Sequence, residues 1–246
     1  MANRFSFREW LMATLIVLFI GSHVFPKFFQ LSSPSKQDVI DRFHKLFYES
    51  TVWQTTSWLG VRAQQNPNDA WVHQEIIVSV KPDFIVETGT LFGGSAALWA
   101  TILQQVNPDG RVITIDIKDQ ASESRKLLIV KDKVDFLTGS SVDPAIFAEI
   151  EKRVRGKKVL VILDSDHSKQ HVLAEMKAFA PLVSKESYMI VQDSNINGHP
   201  VYANFGPGPQ EAIDEFLAMN DQFRSDSNAE RLMFTMHPRG YLKRIK

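Results

Sequence analysis

A glycine-rich turn between a predicted strand and a predicted helix constrains the fold of this chain more than any other segment. The turn lies within residues 86–95, VETGTLFGGS, after an apolar segment and before residues with helical spacing. Its glycines permit backbone conformations and close approaches that a Cβ would prevent. The spacing E-x-G-x-x-x-G-G differs from the G-x-G-x-x-G of dinucleotide-binding folds and favours S-adenosylmethionine (SAM) as ligand. A turn of purely structural importance is the alternative.

Apolar segments and helical patterns alternate from this turn onward. The pattern predicts five strands, at 84–87, 111–116, 133–138, 158–163 and 187–192, and helices that begin near residues 93, 122, 144, 168 and 209. This alternation indicates right-handed βαβ units and a parallel sheet with helices on both faces. Residues 231–236 and 240–244 are expected to form a C-terminal antiparallel hairpin. The predicted fold is therefore α/β and Rossmann-like, with a mostly parallel seven-stranded sheet.

Composition excludes several classes of function. The 246 residues contain 28 basic and 28 acidic side chains, so no net charge favours a nucleic-acid partner. The chain has no cysteine, which excludes disulfides, thiolate nucleophiles and cysteine-ligated metals. Any metal must be bound by oxygen or imidazole ligands.

The N-terminus contains an uncharged apolar run at residues 10–25, WLMATLIVLFIGSHVF. A membrane span needs roughly 20 residues, so the run favours an uncleaved anchor if it extends to residue 31. A signal peptide and a buried docking helix are the alternatives. The expected organisation is an anchor-like segment at 1–31, a helical extension at 32–82 and a cofactor-binding domain at 83–246. We expect a membrane-associated protein with a single N-terminal anchor and that domain in the cytoplasm.

Polar residues follow the first three strands, at the sheet edge where ligands bind in parallel α/β folds. Glu87 and Thr88 end the first strand. Asp116 ends the second, where a carboxylate can accept both hydrogen bonds of a ribose diol. Ser140 and Ser141 follow the third and are placed to frame an adenine edge. Taken in order they favour a cofactor site, although each could instead cap a turn or a helix.

The fourth and fifth strands end in ionisable and amide side chains. The segment VLVILDSDHS places Asp164, Asp166 and His167 directly after apolar residues, and Gln192 and Asp193 follow the next strand. Because neighbouring parallel strands end at the same edge, Asp164 and Asp193 are expected to converge on one ion. Carboxylate and amide oxygens suit a hard cation such as Mg²⁺. Capping of the following helices is the alternative.

Several motifs in one order resemble the cephalosporin hydroxylase-like family of class I SAM-dependent methyltransferases, which includes rhamnosyl O-methyltransferases. The resemblance runs from about residue 58 to residue 244. The motifs that carry it are WLGV at 58–61, the pattern of Pro67, Asp69, Trp71 and Glu75, ETGTLFGGS, GSS at 139–141, LDSDHS, NINGHPV, GPGPQEAIDEF at 206–216 and the terminal GYLKR.

The resemblance implies a set of site residues. The implied SAM contacts are Glu87, Gly89, Gly93, Ser95, Asp116 and Ser141. The full predicted set of cofactor-binding residues also includes Thr88, Gly94, Ser140 and Asp164. The implied metal ligands are Asp164, Gln192 and Asp193, although the family usually has Glu at position 192, so Gln192 leaves metal affinity open. His237 also stands where the family often has Asn.

The resemblance to metal-dependent catechol-type methyltransferases also suggests a base. In that class the base follows the first metal-binding Asp by three residues, which is His167 here, and Asp166 could orient it. An imidazole can accept a proton near neutral pH. Capping of the helix that opens at Ser168 is the alternative for His167.

The resulting hypothesis is a SAM-dependent, Mg²⁺-assisted O-methyltransferase acting on a hydroxyl of a sugar or another small polar metabolite. Its expected partners are that acceptor and a membrane, with a homo-oligomer left open and nucleic acid excluded. Two alternatives remain. One is a non-catalytic SAM-binding scaffold, and the other is a hydroxylase, for which no triad of two histidines and one carboxylate is evident.

Overall fold

The structure, a computed structural model, describes residues 8, 11, 12 and 33–246. The chain divides into two units, residues 1–39 and residues 40–246. In the first unit, the Asp38 carboxylate accepts hydrogen bonds from the backbone N–H and the hydroxyl of Ser35, at 2.9 and 2.8 Å. The second unit contains the sheet and the candidate site. The predicted division at residues 31/32 and 82/83 stays a prediction.

The predicted membrane anchor requires a correction. Across the part of the chain that the structure describes, no helix combines the length and the apolar character needed to cross a membrane. This finding contradicts the predicted membrane-associated localisation with a single N-terminal anchor. Of the apolar run 10–25 itself, only residues 11 and 12 belong to the described part of the chain.

Nine strands and seven α-helices lie within residues 33–246. The strands are β1 (Ser57–Trp58), β2 (Val61–Arg62), β3 (Phe84–Thr88), β4 (Arg111–Asp116), β5 (Val134–Thr138), β6 (Val159–Leu163), β7 (Tyr188–Val191), β8 (Phe223–Ser225) and β9 (Tyr241–Arg244). The helices are α1 (Lys36–Glu49), α2 (Pro67–Val80), α3 (Gly94–Val106), α4 (Leu128–Lys133), α5 (Pro144–Val154), α6 (Lys169–Phe179) and α7 (Pro209–Met219).

Seven strands form one mixed sheet in the order β5-β4-β3-β6-β7-β9-β8. The first five are parallel, while β9 runs antiparallel to both of its neighbours. The strands β1 and β2 pair separately. The predicted α/β fold with a mostly parallel seven-stranded sheet and a C-terminal antiparallel pair is confirmed.

The core consists of two apolar layers, one on each face of the sheet. Successive side chains of a strand point to opposite faces, so Ile85 joins the layer under α2 and α3, and Val86 joins the layer under α5, α6 and α7. All five residues of β6 are buried. A central strand buried on both faces explains why its sequence is a continuous apolar run.

The C-terminal pair uses a different strand from the predicted one. Residues 231–236 form no strand, and β9 pairs instead with β8 at Phe223–Ser225. The side chain of Asp69 accounts for the difference, because it accepts hydrogen bonds from Met236 N–H at 2.8 Å and from the Thr235 hydroxyl. These contacts bind the segment to α2 rather than to the sheet.

The helix predicted near residue 122 is also divided. A 3-10 turn at Ser124–Lys126 precedes the short helix α4, and Leu127 between them has extended backbone angles. The extended residue ends the 3-10 turn, so one continuous helix cannot form.

Candidate cofactor and cation site

Glycines in the turn after β3 allow close contact between segments of the chain. Gly89 has a φ of 91°, and a Cβ there would lie 1.9 Å from the backbone oxygen of Asp164. A Cβ on Gly94 would lie 2.2 Å from the backbone oxygen of Arg62, and one on Gly93 would meet Ser124 at 2.8 Å. The sequence attributed these glycines to the approach of a ligand. In the structure they first permit the approach of the end of β6 and of β2.

A cavity of about 490 Å³ opens beyond the carboxyl ends of the parallel strands. This is the edge where ligands bind in open α/β sheets. The predicted cofactor-binding residues that line it are Gly89, Gly94, Ser95, Asp116, Ser140, Ser141 and Asp164. Glu87, Thr88 and Gly93 are not among its lining residues, and Thr88 is fully buried. The cavity therefore unites most, but not all, of the predicted cofactor site.

Asp116 is held by the turn that it faces. One oxygen of its carboxylate accepts a hydrogen bond from Leu91 N–H at 2.8 Å, and the other accepts one from Lys118 N–H at 3.0 Å. On the neighbouring strand end, Ser141 Oγ lies 3.1 Å from His171 Nε2. A fixed carboxylate at the end of β4 is suited to the hydroxyls of a ribose.

Glu87 lies beneath the cavity and connects helix α3 to the sheet. Its carboxylate accepts hydrogen bonds from Trp99 Nε1 at 2.8 Å and from the Thr114 hydroxyl at 2.7 Å. Burial raises the pKa of Glu87 from 4.5 to about 7, although hydrogen bonds from Thr114, Ser95 and Trp99 oppose the rise. The folded chain therefore keeps a proton on this carboxyl group below neutral pH and releases it as the pH rises through about 7.

Replacing Glu87 by glutamine should stabilise the fold at pH 8 and leave it nearly unchanged at pH 4.5. The pKa is higher in the folded state, so the wild-type chain loses stability as the pH rises from 4.5 through about 7. A neutral amide avoids this loss of about 3 kcal/mol in the free energy of unfolding. The amide also keeps a hydrogen-bond partner, because the Thr114 hydroxyl can accept from it and donate to Thr90. Urea unfolding of both proteins at the two pH values measures the effect. An equal difference at both would contradict the protonated state of Glu87.

Two carboxylates and one imidazole meet at the ends of β6 and β7. Ligand atoms of Asp164, His167 and Asp193 all lie within 4.8 Å of one another. His167 Nε2 is 3.2 Å from Asp193 Oδ2. Asp193 has a positive φ of 54°, and its N–H donates to His237 Nδ1 at 3.0 Å. The predicted convergence of Asp164 and Asp193 therefore appears in the structure as a three-residue group, which we call the acidic cluster.

The charge of Asp164 is costly in this environment. Burial raises the pKa of Asp164 well above its usual range, and the negative charges of Asp193, Glu87 and Glu175 raise it further. A bound divalent cation reverses this balance, because it stabilises the ionised carboxylates that coordinate it. The donor set therefore fits a hard cation.

The carboxylate of Asp166 is hydrogen-bonded to Ser168 and not to His167, which the sequence suggested it would orient. Its Oδ1 accepts from Ser168 N–H at 2.7 Å, just before α6 begins. Hydrogen bonds from Ser168 lower the pKa of Asp166. The carboxylate that pairs with His167 is Asp193.

Gln192 lines the cavity, and its partner is a residue that the sequence did not identify. Gln65 Nε2 donates to Gln192 Oε1 at 3.2 Å, and both side chains are buried. The two residues are 127 positions apart and share no motif. No periodicity or spacing in the sequence indicates this contact.

Two further residues that the sequence did not assign to the site support the cavity wall. His237 lines the cavity, is 2 % exposed and accepts from Asp193 N–H through Nδ1. Its Nε2 lies 3.7 Å from Asp69 Oδ2, and Asp69 is itself buried. Burial alone would raise the pKa of Asp69, but His237 and hydrogen bonds from Thr235, Met236 and Asn66 lower it. A negative Asp69 therefore underlies the loop that holds Asp193.

A family model described as Rhamnosyl O-methyltransferase/CmcI matches residues 50–245. The chain belongs to this family. Among its relatives, rhamnosyl O-methyltransferase of Mycobacterium tuberculosis is 41% identical over 213 residues, which cover 84% of this chain and 85% of that protein. Rhamnosyl O-methyltransferase of Mycobacterium leprae is 36% identical over 216 residues, covering 84% of this chain and 90% of that protein.

Solved structures of the rhamnosyl O-methyltransferase/CmcI family and of other methyltransferases share the fold. A structure of CmcI with Mg and SAM is 22% identical, with a TM-score of 0.61 and coverage of 78% of both chains. An O-methyltransferase from Bacillus cereus with SAH is 16% identical, with a TM-score of 0.52, covering 85% of this chain and 87% of that one.

Membership of the rhamnosyl O-methyltransferase/CmcI family confirms the predicted activity class. The chain is a SAM-dependent O-methyltransferase. Neither alternative is retained. The activity of the family excludes a non-catalytic scaffold. Within the described residues, the group able to hold a metal has one histidine and two carboxylates, whereas a hydroxylase triad has two histidines and one carboxylate.

Proposed function

We propose that this methyltransferase transfers the methyl group of SAM to a hydroxyl of a sugar, with assistance from Mg²⁺ at the acidic cluster. The observation that carries the proposal is the meeting of Asp164, His167 and Asp193 at the wall of the cavity. The sugar acceptor is supported by the relatives from two mycobacterial species, which are named rhamnosyl O-methyltransferases.

SAM would bind over the β5, β4 and β3 end of the cavity. Asp116 would accept the ribose hydroxyls, and Ser140 and Ser141 would border the adenine. Glu87 and Thr88 would support this site from below, because neither lines the cavity. When bound, SAM would supply a methyl group that passes from the sulfonium sulfur to the acceptor oxygen by in-line displacement, with SAH as the leaving group.

Mg²⁺ would be held over the β6 and β7 end by Asp164, Gln192 and Asp193. These residues offer carboxylate and amide oxygens, the donors that this ion prefers. The cation would lower the proton affinity of an acceptor hydroxyl. Asp193 has two oxygens, so one can face His167 while the other faces the ion.

His167 would take the proton from the acceptor hydroxyl. Its Nε2 lies 3.2 Å from Asp193 Oδ2, a pairing that places the Nε2 proton on the carboxylate side and leaves Nδ1 as the basic nitrogen. His167 lines the cavity, so it is close to an acceptor bound there. Asp193 would orient the imidazole, the role that the sequence assigned to Asp166.

An aromatic wall supports a sugar as the acceptor. Trp53 lines the cavity, and its ring stacks on Tyr48 with centroids 5.6 Å apart and planes at 24°. Trp53 Nε1 donates to the Tyr48 carbonyl at 3.1 Å, which fixes the indole. The face of a fixed aromatic ring suits the C–H face of a pyranose, while polar groups nearby orient its hydroxyls.

The test is a methyl-transfer assay with SAM and a rhamnoside such as methyl α-L-rhamnopyranoside. We expect SAH and a methylated sugar to form, with a rate that falls at least tenfold when EDTA removes Mg²⁺ and recovers when Mg²⁺ is restored. An equal rate with EDTA would contradict the assistance by metal. Turnover with a catechol but with no sugar would contradict the acceptor.

A further inference from the structure

A buried pair of amide side chains lies against the acidic cluster with two polar atoms unpaired. Gln65 is 5% exposed and Gln192 is 3% exposed, and both line the cavity. Gln65 Nε2 lies 3.2 Å from Gln192 Oε1 and 3.5 Å from Asp164 Oδ2. Gln65 Oε1 and Gln192 Nε2 have no hydrogen-bond partner. A buried polar atom without a partner is costly, so this pair requires an explanation.

Hydrogen bonds hold the backbone of Gln65 in place, while the terminal amide of its side chain can adopt two orientations. Gln65 N–H donates to Thr56 Oγ1 at 2.9 Å, and the same hydroxyl lies 2.9 Å from the Gln65 carbonyl oxygen. These contacts hold the residue at the cavity wall. Rotation of the terminal amide exchanges the positions of Oε1 and Nε2 without moving the backbone.

The distances around Gln65 match those of a coordination shell. Mg²⁺ binds oxygens at about 2.1 Å in an octahedron, so adjacent ligand oxygens are about 3 Å apart. The Gln65 amide nitrogen lies 3.2 and 3.5 Å from oxygens of Gln192 and Asp164, which are two of the three proposed ligands. An oxygen at the present position of Nε2 would be their neighbour in such a shell.

We propose that Gln65 is part of the cation site, as an oxygen ligand supplied from outside the sheet. The proposal rests on the metal-assisted function above. Without a cation, the N–H group of Gln65 bridges the oxygens of Asp164 and Gln192. When a cation binds, the amide rotates and its unpaired Oε1 completes the set of protein oxygens, so the segment before α2 contributes directly to metal affinity.

Isothermal titration of the full chain with Mn²⁺, a substitute for Mg²⁺, tests this assignment without an activity measurement. Gln65→Met keeps the length of the side chain and removes both polar atoms, so we expect at least fivefold weaker binding. Gln65→Glu adds a carboxylate oxygen, so we expect at least fivefold tighter binding. Gln64→Glu is the matched control, because Gln64 lines the same cavity while the hydrogen bonds to Asp164 and Gln192 come from Gln65. Its affinity should change less than twofold.

The outcomes separate this proposal from the proposed function. Thermal unfolding shows whether each variant folds. If one of the two Gln65 variants does not fold, the other still tests the proposal. Wild-type binding that is unaffected by Gln65→Met, or a Gln65→Glu protein no tighter than Gln64→Glu, would overturn the role of Gln65 alone. A folded wild-type protein that binds no Mn²⁺ would overturn both this role and metal assistance, while SAM binding would remain.

Discussion

Replacing His167 by alanine should lower kcat at least a hundredfold and change the affinity for SAM less than threefold. A positioned general base contributes about 10² to 10⁴ in rate, and His167 is the imidazole of the acidic cluster, 3.2 Å from Asp193. The predicted ribose and adenine contacts belong to Asp116 and the serines after β5, so SAM binding should persist. Steady-state kinetics with saturating Mg²⁺ and calorimetric titration with SAM measure the two effects.

Asp166→Asn is the matched control for this experiment. Asp166 precedes His167 directly, but its carboxylate accepts from Ser168 N–H rather than from the imidazole. Its kcat should stay within fivefold of wild type. A large loss with Asp166→Asn would return the orienting role to Asp166, and full activity of His167→Ala would remove the base from the mechanism.

Replacing Asp69 by asparagine should destabilise the fold by about 1.5 to 3 kcal/mol, because hydrogen bonds to a charged group are weakened and a buried donor is left unpaired. The Asp69 carboxylate is 1% exposed. It accepts hydrogen bonds from Met236 N–H at 2.8 Å, Asn66 Nδ2 at 2.8 Å, Tyr241 at 2.9 Å and the Thr235 hydroxyl. An amide directs an N–H₂ group toward donors, so at least one of these bonds is lost. Urea unfolding at pH 7 measures the change.

Glu75→Gln provides the comparison on the same helix. Glu75 pairs with Arg231 at the surface, so it also joins α2 to the C-terminal segment. Exposed ion pairs contribute about 0 to 1 kcal/mol, and the loss should stay within that range. Equal destabilisation by the two substitutions would contradict the importance of the buried network.

The sequence predicted those elements whose burial produces a regular pattern of apolar residues along the chain. The strand β6 is an uninterrupted apolar run because it is buried on both faces, and its polar end at Asp164 was identified with it. Asp193 was placed beside Asp164 because β6 and β7 are neighbours, and the structure brings both carboxylates together with His167. The order of the strands along the chain and the geometry of parallel sheets were sufficient to predict these features.

The sequence did not predict contacts that depend on folding of distant segments. Gln65 and Gln192 meet across 127 positions, and Asp69 captures Met236 across 167 positions. Neither contact produces a periodic pattern in the sequence. The contact of Asp69 also explains why residues 231–236, which were predicted as a strand, form none. Glu87 shows a related difficulty, because its position in a motif suggested a cofactor contact while its hydrogen bonds go to Trp99 and Thr114.

The contact between Gly89 and the backbone of Asp164 joins the turn predicted to bind SAM to a proposed ligand of the cation. No room for a Cβ exists at that junction, so a side chain at position 89 would displace the end of β6 together with the turn. The aromatic wall at Trp53 and Tyr48 belongs to a different segment of the chain. Substitutions at Trp53 or Tyr48 should therefore change the preference for an acceptor while leaving the predicted positions of donor and cation in place.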